Sequence, residues 1–381
     1  MMGNRRIQII LVVLALITAG CSLPESVVLD KSQSNNIDSV PFFLPTATKT
    51  PIPLPTATYT PVPSNTPSPT PTEIAFGVGK ELTIKYLREL EIEGSKIVFH
   101  ERLSSGWNYQ RHIVSYTSEG NKIYGLLTIP MEDPSEGGFK AIVFNHGYIP
   151  PAVYQTTERY AAYVDYLARN GFVVFKIDYR GHGNSEGFPS GSYFSPGYTI
   201  DAISALKSLQ GLDYIDPDGI GMWGHSMAGN LVLRAMLVEP DIKAGVIWAG
   251  AVYSYEDLLE YGINDNTYRP PATPDNIDED EHLRGNRAVF EIYGWPDASQ
   301  PFWQAVSLTQ NIDFLQNPIQ LHHAEDDSVV SIQYSYGLAG TLHENQKEYE
   351  FYTYDGGGHN IISLWFDQAM LRTVDFFNEN L

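Results

Sequence analysis

The stretch IGMWGHSMAGNLVL, residues 220–233, places one serine at the junction of two apolar segments. The segment before it, 218–225, is a short apolar run typical of a buried strand, and the segment after it, 230–240, has helical spacing. A sharp strand-to-helix turn would lift the Ser226 hydroxyl above a sheet and point helix N–H groups at developing negative charge. Ser226 is therefore a candidate nucleophile, and the alternative is an ordinary serine at the start of a helix.

Such a turn crowds the backbone, so the residues two before and two after the serine must be small. Gly224 meets this requirement, and Ala228 stands where Gly-x-Ser-x-Gly has its second glycine. Alanine adds only one methyl group, and Gly229 beside it is expected to give further room. The pattern alone is a weak signal, and its value depends on the residues elsewhere in the chain.

Strand-like and helix-like segments alternate on both sides of this stretch, as in a doubly wound, mostly parallel sheet. The first three predicted strands read as half-buried and mainly antiparallel, while later ones are short apolar runs typical of parallel strands. Segments containing the predicted strands are 96–103, 111–118, 122–130, 140–147, 172–183, 218–225, 242–252, 318–327 and 347–360. The predicted helices are 158–171, 198–211, 230–240 and 364–381.

A serine hydroxyl becomes a good nucleophile only when a base takes its proton and an acid orients that base. His359 follows the last predicted strand in YDGGGHN, and Asp326 and Asp327 follow the strand before it. The carboxyl ends of parallel strands meet at one edge of the sheet, where sites form. The chain order serine, aspartate, histidine is the order expected for this topology.

These segments carry a family resemblance. Residues 96–381 resemble an α/β-hydrolase and, more narrowly, the catalytic domain of the prolyl oligopeptidase (S9) serine peptidase family. The stretches that carry the resemblance are GLLTIP (125–130), AIVFNHG (141–147), DYRGHGNSEG (178–187), DPDGIGMWGHSMAGNLVL (216–233), HHAEDDSVV (322–330) and YDGGGHN (354–360). The resemblance implies an α/β-hydrolase fold with a mostly parallel, eight-stranded type of sheet.

The resemblance also indicates which aspartate is the acidic member of the triad. The family pattern Gly-x-x-Asp-x-x-Val maps onto 323–329, which makes Asp326 the expected member of the triad. His323 replaces the glycine of that pattern, so the loop can be shifted, and Asp327 is the alternative.

An oxyanion hole needs two donors aimed at the developing charge. We expect one to be the backbone N–H of Met227, directly after the nucleophile. The other should come from the loop after AIVFNHG, most simply the N–H of Tyr148. His146 is expected to shape this turn, and Asp178 with Arg180 to form a pair that fixes a neighbouring loop.

An insertion at about 254–311 is expected to form a lid or pocket wall. Its aromatic side chains can grip an apolar group of the substrate, or they can pack the lid onto the domain. They are Tyr255, Tyr261, Tyr268, Tyr293, Trp295, Phe302 and Trp303, with Tyr253 at the edge.

The N-terminus resembles a bacterial lipoprotein signal. Arg5 and Arg6 precede the apolar stretch 7–20, which ends directly before Cys21, the only cysteine of the chain. Residues 1–20 are expected to be removed and Cys21 lipidated, giving an extracytoplasmic, membrane-anchored protein. The alternatives are a plain signal peptide with secretion, or an uncleaved anchor.

Residues 21–72 are expected to form a disordered stalk, because the Pro/Thr-rich stretch 41–72 cannot form a helix or a sheet. At about 3.1 Å per residue this stretch would reach roughly 100 Å. The catalytic domain is then 73–381, with the lid inside it.

The amino-acid composition limits the kinds of molecule that the protein is expected to bind. The formal net charge of −21 argues against nucleic acid, which requires a basic face. No residues show metal-ligand spacing, and the expected chemistry needs neither a metal nor another cofactor. The sequence does not indicate an oligomeric state.

The expected function is that of a serine hydrolase acting through an acyl-enzyme, with an S9-like peptidase cleaving small peptides as the first interpretation. Peptidases of that family usually carry a large β-propeller before the catalytic domain, which this chain does not show. A carboxylesterase or deacylase on small esters is therefore the second interpretation. A non-catalytic binding module that kept the fold is the third.

Overall fold

The computed structural model describes residues 76–263 and 288–381, all within one structural unit, Thr70–Leu381. A nine-stranded sheet runs through this unit in the order β1-β2-β3-β5-β4-β6-β7-β8-β9. The strands are β1 Val98–Leu103, β2 Tyr109–Ser118, β3 Asn121–Pro130, β4 Phe139–Asn145, β5 Val173–Ile177, β6 Ile215–His225, β7 Gly245–Trp248, β8 Ile319–Ala324 and β9 Tyr349–Tyr354.

The sheet is antiparallel at one end and parallel over the rest. β1, β2, β3 and β5 pair antiparallel in that order, and every pairing from β5 through β4 to β9 is parallel. Strands β4, β5, β7 and β8 are almost wholly buried, as expected for parallel strands that helices cover on both faces. The predicted fold class is confirmed, with nine strands in place of an eight-stranded type.

Helices cover both faces of the sheet. They are α1 Ile84–Glu89, α2 Ala161–Arg169, α3 Gly197–Leu209, α4 Met227–Val238, α5 Tyr255–Tyr261, α6 Pro301–Val306, α7 Gln333–Glu344 and α8 Phe366–Asn380. Apolar side chains of α3 and α4 belong to one core cluster, and those of α2 and α8 belong to a second. The four predicted helices correspond to α2, α3, α4 and α8.

The described part of the insertion that is expected to form a lid packs against residues 76–79. Phe302 stacks on Tyr293 with 3.8 Å between ring centroids, and Phe76 meets the edge of Phe302 at 5.5 Å. Gly79 allows the close approach, because a Cβ there would lie 3.0 Å from the Phe302 ring. For these aromatic residues, packing of the lid onto the domain is therefore the correct interpretation.

The remaining aromatic residues of the insertion differ in how far they are exposed to solvent. Trp303 and Tyr255 are buried in the same cluster as Phe302, whereas Trp295 is 71% exposed. Tyr268 lies outside the described residues.

The N-terminal predictions also fall outside the described part of the chain, since residues 1–75 are not part of it. In the ranges 76–263 and 288–381, no helix is long and apolar enough to cross a membrane.

Candidate active site

Ser226 lies on a strained turn between β6 and α4. Its backbone angles are φ 57° and ψ −120°, which side-chain-bearing residues rarely adopt. The turn is held at both ends: the Ser226 N–H donates to Trp248 O on β7 at 2.9 Å, and Gly229 N–H donates back to Ser226 O at 2.8 Å. The predicted sharp turn is therefore present, and Ser226 is only partly buried, as a nucleophile requires.

The small residues around the turn are tightly packed. A Cβ on Gly224 would lie 2.7 Å from the carbonyl oxygen of Ala228 and 2.6 Å from Cγ2 of Val232. A Cβ on Gly229 would lie 2.6 Å from Cα of Gly250. Gly229 therefore offers no spare room for Ala228, since its own space is taken by close contact between α4 and the chain after β7.

We expect Gly224→Ala to lower the free energy of unfolding by about 1–3 kcal/mol, because the added methyl group meets backbone that cannot move freely. Urea denaturation would measure this change. The matched control is Gly337→Ala in α7, where a Cβ meets nothing within 4 Å. That variant should be more stable than the wild type by about 0.5–1 kcal/mol. Equal effects of the two substitutions would show that the turn is not tightly packed.

The structure pairs His359 with Asp327. Nδ1 of His359 lies 2.8 Å from Oδ2 of Asp327, whose side chain is wholly buried, while the His359 side chain is 15% exposed. Asp326 instead accepts a hydrogen bond from Gly358 N–H at 2.7 Å. The prediction that Asp326 orients His359 is therefore wrong, and the alternative, Asp327, occupies that position.

His323 explains the change of carboxylate. Its ring is buried, and Nε2 lies 3.1 Å from Val330 O and 3.2 Å from Asp327 Oδ2. Because a carbonyl only accepts, Nε2 carries the proton, and Nδ1 accepts from the Ser335 hydroxyl at 2.7 Å. The family pattern then fits one residue later, with Ala324 in place of its glycine and Val330 as its valine.

Asp327 is held as a carboxylate. Its Oδ1 accepts from Val329 N–H at 2.8 Å and from Val330 N–H at 3.0 Å, while Oδ2 faces His323 and His359. Burial alone would raise the pKa of Asp327, but the hydrogen bonds from the two histidines outweigh it and hold the pKa well below its usual value. Because an ionised carboxylate only accepts, Nδ1 of His359 donates to Asp327, and Nε2 is the ring nitrogen left for other partners.

The two expected oxyanion donors lie at the ends of β4 and β6. Met227 is the first residue of α4, so its N–H has no partner within the helix. Tyr148 follows Gly147, whose own N–H is taken by the hydroxyl of Tyr160 at 2.9 Å. The assignment of the Met227 and Tyr148 N–H groups as oxyanion donors stays a prediction.

His146 lies fully buried beneath this loop. Its ring stacks on Tyr154 at 4.6 Å and contacts Tyr179 at 4.4 Å, and its Nδ1 donates to Gly147 O at 2.7 Å. Burial lowers the pKa of His146 well below its usual value, so the ring stays neutral. These contacts agree with the expected turn-shaping role.

The expected Asp178–Arg180 pair is not what fixes the neighbouring loop. Arg180 binds Asp201, at 2.7 Å, and Glu119, at 2.9 Å. Asp178 accepts instead from the hydroxyls of Tyr154 and Thr156. Each residue therefore fixes a different part of the sheet edge.

Several strained backbone conformations lie at the edge formed by the carboxyl ends of the parallel strands. Residues other than glycine with positive φ follow four strands of the parallel part of the sheet: Tyr179 after β5, Ser226 after β6, Ala249 after β7 and Ile361 after β9. Strain of this kind persists only where surrounding structure holds it, and it is common at functional sites.

Within 76–263 and 288–381, no group of ligand side chains could hold a metal ion.

Comparison with known proteins agrees with this architecture. Residues 139–264 match the family model described as Serine aminopeptidase, S33. The architecture is an α/β-hydrolase type of fold, and the expected resemblance to that superfamily is confirmed.

Among individual proteins, the chain is 27% identical over 258 residues to a Bacillus subtilis protein described as an uncharacterized peptidase, YtmA, covering 65% of this chain and 85% of that one. Dipeptidyl peptidase 4 of Porphyromonas gingivalis superposes with a TM-score of 0.54 at 19% identity, over 72% of this chain. Acetyl xylan esterase 1 of Thermoanaerobacterium sp. superposes with a TM-score of 0.55 at 16% identity, over 77% of this chain. This chain spans 36% of the dipeptidyl peptidase and 90% of the esterase. Proteins described as a peptidase and as an esterase therefore share the fold of this chain.

Proposed function

We propose that the protein is a serine hydrolase in which Ser226 is the nucleophile, His359 the general base and Asp327 the residue that orients His359. The observation that carries the proposal is the 2.8 Å contact between His359 and the buried Asp327 carboxylate, beside a serine on a strained turn. The His359 ring lies 4.5 Å, between centroids, from the ring of His225, the residue directly before Ser226.

The reaction follows from these positions. Nε2 of His359 takes the proton of Ser226 as the serine oxygen attacks the carbonyl carbon of the substrate. The negative charge that forms on the carbonyl oxygen is bound by the Met227 and Tyr148 N–H groups. His359 then gives the proton to the leaving group, and water, activated by the same histidine, releases the acyl group from Ser226.

For the substrate, we propose small peptides. Support comes from the family model, described as a serine aminopeptidase, and from the Bacillus relative described as a peptidase. Hydrolysis of small esters is the second candidate, since the chain also spans most of an acetyl xylan esterase with the same fold. Amides are harder to cleave than esters, because the poorer amine leaving group must be protonated by His359.

A panel of substrates distinguishes peptide hydrolysis from ester hydrolysis. The purified full chain would be assayed with aminoacyl-p-nitroanilides and with p-nitrophenyl esters of increasing acyl length, with Ser226→Ala as the control. A peptidase should cleave both kinds of substrate in a Ser226-dependent manner. Cleavage of the esters alone would identify an esterase, and absence of Ser226-dependent turnover on every substrate would overturn the proposed hydrolase.

We also propose that the protein is an extracytoplasmic lipoprotein, on the basis of the N-terminal sequence. Cys21→Ala is expected to release the protein from membranes without changing its turnover, because stable attachment requires lipid chains. Fractionation of cells that produce each form would measure the membrane-bound share. Recovery of the wild-type protein entirely in the culture supernatant would contradict the anchor and favour secretion.

A further inference from the structure

Three hydrogen bonds join the loops that carry the oxyanion donor, the nucleophile and the base. Gly147 N–H lies 2.9 Å from the Tyr160 hydroxyl oxygen, that oxygen lies 2.8 Å from Nδ1 of His225, and Nε2 of His225 lies 2.7 Å from His359 O. Tyr160 and His225 are 65 residues apart, and His225 and His359 are 134 apart. Neither Tyr160 nor His225 has a role in the chemistry described above.

The direction of each bond follows from its acceptors. A carbonyl oxygen only accepts, so Nε2 of His225 carries a proton and donates to His359 O. Burial, with a smaller effect of His359, lowers the pKa of His225 to about 3, so the ring is neutral and its Nδ1 has no proton. The Tyr160 O–H therefore donates to Nδ1 of His225, while its oxygen accepts from Gly147 N–H.

The backbone and the ring of Tyr160 are firmly held. Tyr160 directly precedes α2 with φ 63°, a left-handed conformation uncommon for residues other than glycine. Its ring contacts Phe144 at 5.7 Å and Trp223 at 6.1 Å, on the two strands that lead to the oxyanion loop and to the nucleophile. The strained backbone places the hydroxyl between Gly147 and His225, where the packed rings keep it.

We propose that Tyr160 and His225 are positioning residues for the reaction, forming a relay of hydrogen bonds that sets the His146–Gly147 peptide, directly before the Tyr148 N–H, against the main chain of His359. The inference rests on the proposed serine hydrolase mechanism. At the oxyanion end, the bond from Gly147 N–H fixes the His146–Gly147 peptide, and the N–H of the next peptide, that of Tyr148, is the proposed donor to the developing charge. At the other end, the bond to His359 O fixes the backbone from which the base reaches Ser226.

The relay transfers no protons. Its histidine is neutral, and its two ends are main-chain groups, Gly147 N–H and His359 O, which neither release nor take up a proton. Its effect is therefore geometric. Displacement of a reacting group by about 1 Å can cost on the order of 10²-fold in rate.

Tyr160→Phe tests the relay, because it removes the hydroxyl and keeps the ring. We expect kcat to fall by about 10- to 100-fold with KM nearly unchanged, since the oriented groups act mainly in the transition state. The matched control is Tyr166→Phe in α2, the helix that Tyr160 directly precedes, where the Tyr166 hydroxyl reaches Asp367 O at 3.5 Å near the surface. Its kcat should stay within about twofold of the wild type.

Two variants of His225 separate positioning from simple packing. His225→Gln can still donate from its amide to His359 O, whereas His225→Leu cannot, so we expect the glutamine variant to retain more activity. The double variant Tyr160→Phe/His225→Leu should lose less kcat than the product of the two single losses, because both substitutions break the same relay. Multiplicative losses, or a Tyr160→Phe enzyme with wild-type kcat, would overturn the proposal.

Labelling of Ser226 by a fluorophosphonate keeps the two proposals distinct. If the wild-type protein is not labelled, the hydrolase mechanism itself fails. If the wild type is labelled and Tyr160→Phe is labelled at the same rate, the mechanism stands and the relay is refuted. Slower labelling of Tyr160→Phe, with thermal unfolding like that of Tyr166→Phe, is the result that the relay predicts. Should His225→Leu fail to fold, this comparison of the tyrosine variants decides alone.

Discussion

Ser226→Ala is expected to abolish covalent labelling by a fluorophosphonate and to lower kcat by about 10⁶-fold, because members of a catalytic triad act as a unit. The reagent reacts only with a serine that a neighbouring base has activated. In this protein the base would be Nε2 of His359, whose other ring nitrogen is held by Asp327 at 2.8 Å. His359→Ala should therefore abolish labelling as well, although Ser226 itself is still present.

A control serine shows that the label reports activation. Ser299 is exposed and lies in the lid, where its hydroxyl donates to Asp297 at 2.7 Å. Ser299→Ala should be labelled and should turn over substrate like the wild type. Labelling that persists in Ser226→Ala, with mass spectrometry locating it on another serine, would return Ser226 to the role of an ordinary residue at a helix start.

The parts of this site that the sequence predicts are those encoded locally. Residues 220–233 contain the strand, the turn and the helix in one run, so the position of Ser226 follows from periodicity and small residues alone. The loop YDGGGHN likewise places His359 after the last strand of the sheet. Long periodic segments also predicted the four main helices, while α7 was missed because Gly337 and Gly340 weaken its helical signal.

The parts that were wrong or missing depend on contacts between distant residues. Sequence patterns could not show whether the lid aromatics grip a substrate or pack onto the domain, because Phe302 finds its partners in Tyr293 and Phe76. In the sequence His225 is the residue directly before Ser226, and only the fold brings it between Tyr160 and His359. The left-handed conformation of Tyr160 likewise has no local sequence signal.

The choice between two adjacent carboxylates has the same origin. Asp326 and Asp327 are identical in chemistry and differ only in which one faces inward after β8. His323 decides this through its buried bonds to Val330 and Asp327. The sequence did contain one signal for Asp327. Ala324, directly after His323, is small enough for the glycine position of Gly-x-x-Asp-x-x-Val, and starting the pattern there selects Asp327.

Asp327→Asn is therefore expected to lower kcat by about 10⁴-fold, whereas Asp326→Asn should cost less than about tenfold. An asparagine at 327 can present its amide N–H to Nδ1 of His359, which would place the ring proton on Nε2, where it cannot act as a base. An asparagine at 326 keeps an oxygen that can accept from Gly358 N–H, so the loop stays in place. Steady-state assays of the two variants on one substrate give the ranking directly. If Asp326→Asn were the more damaging, the carboxylate on His359 during catalysis would not be the one that the structure places there.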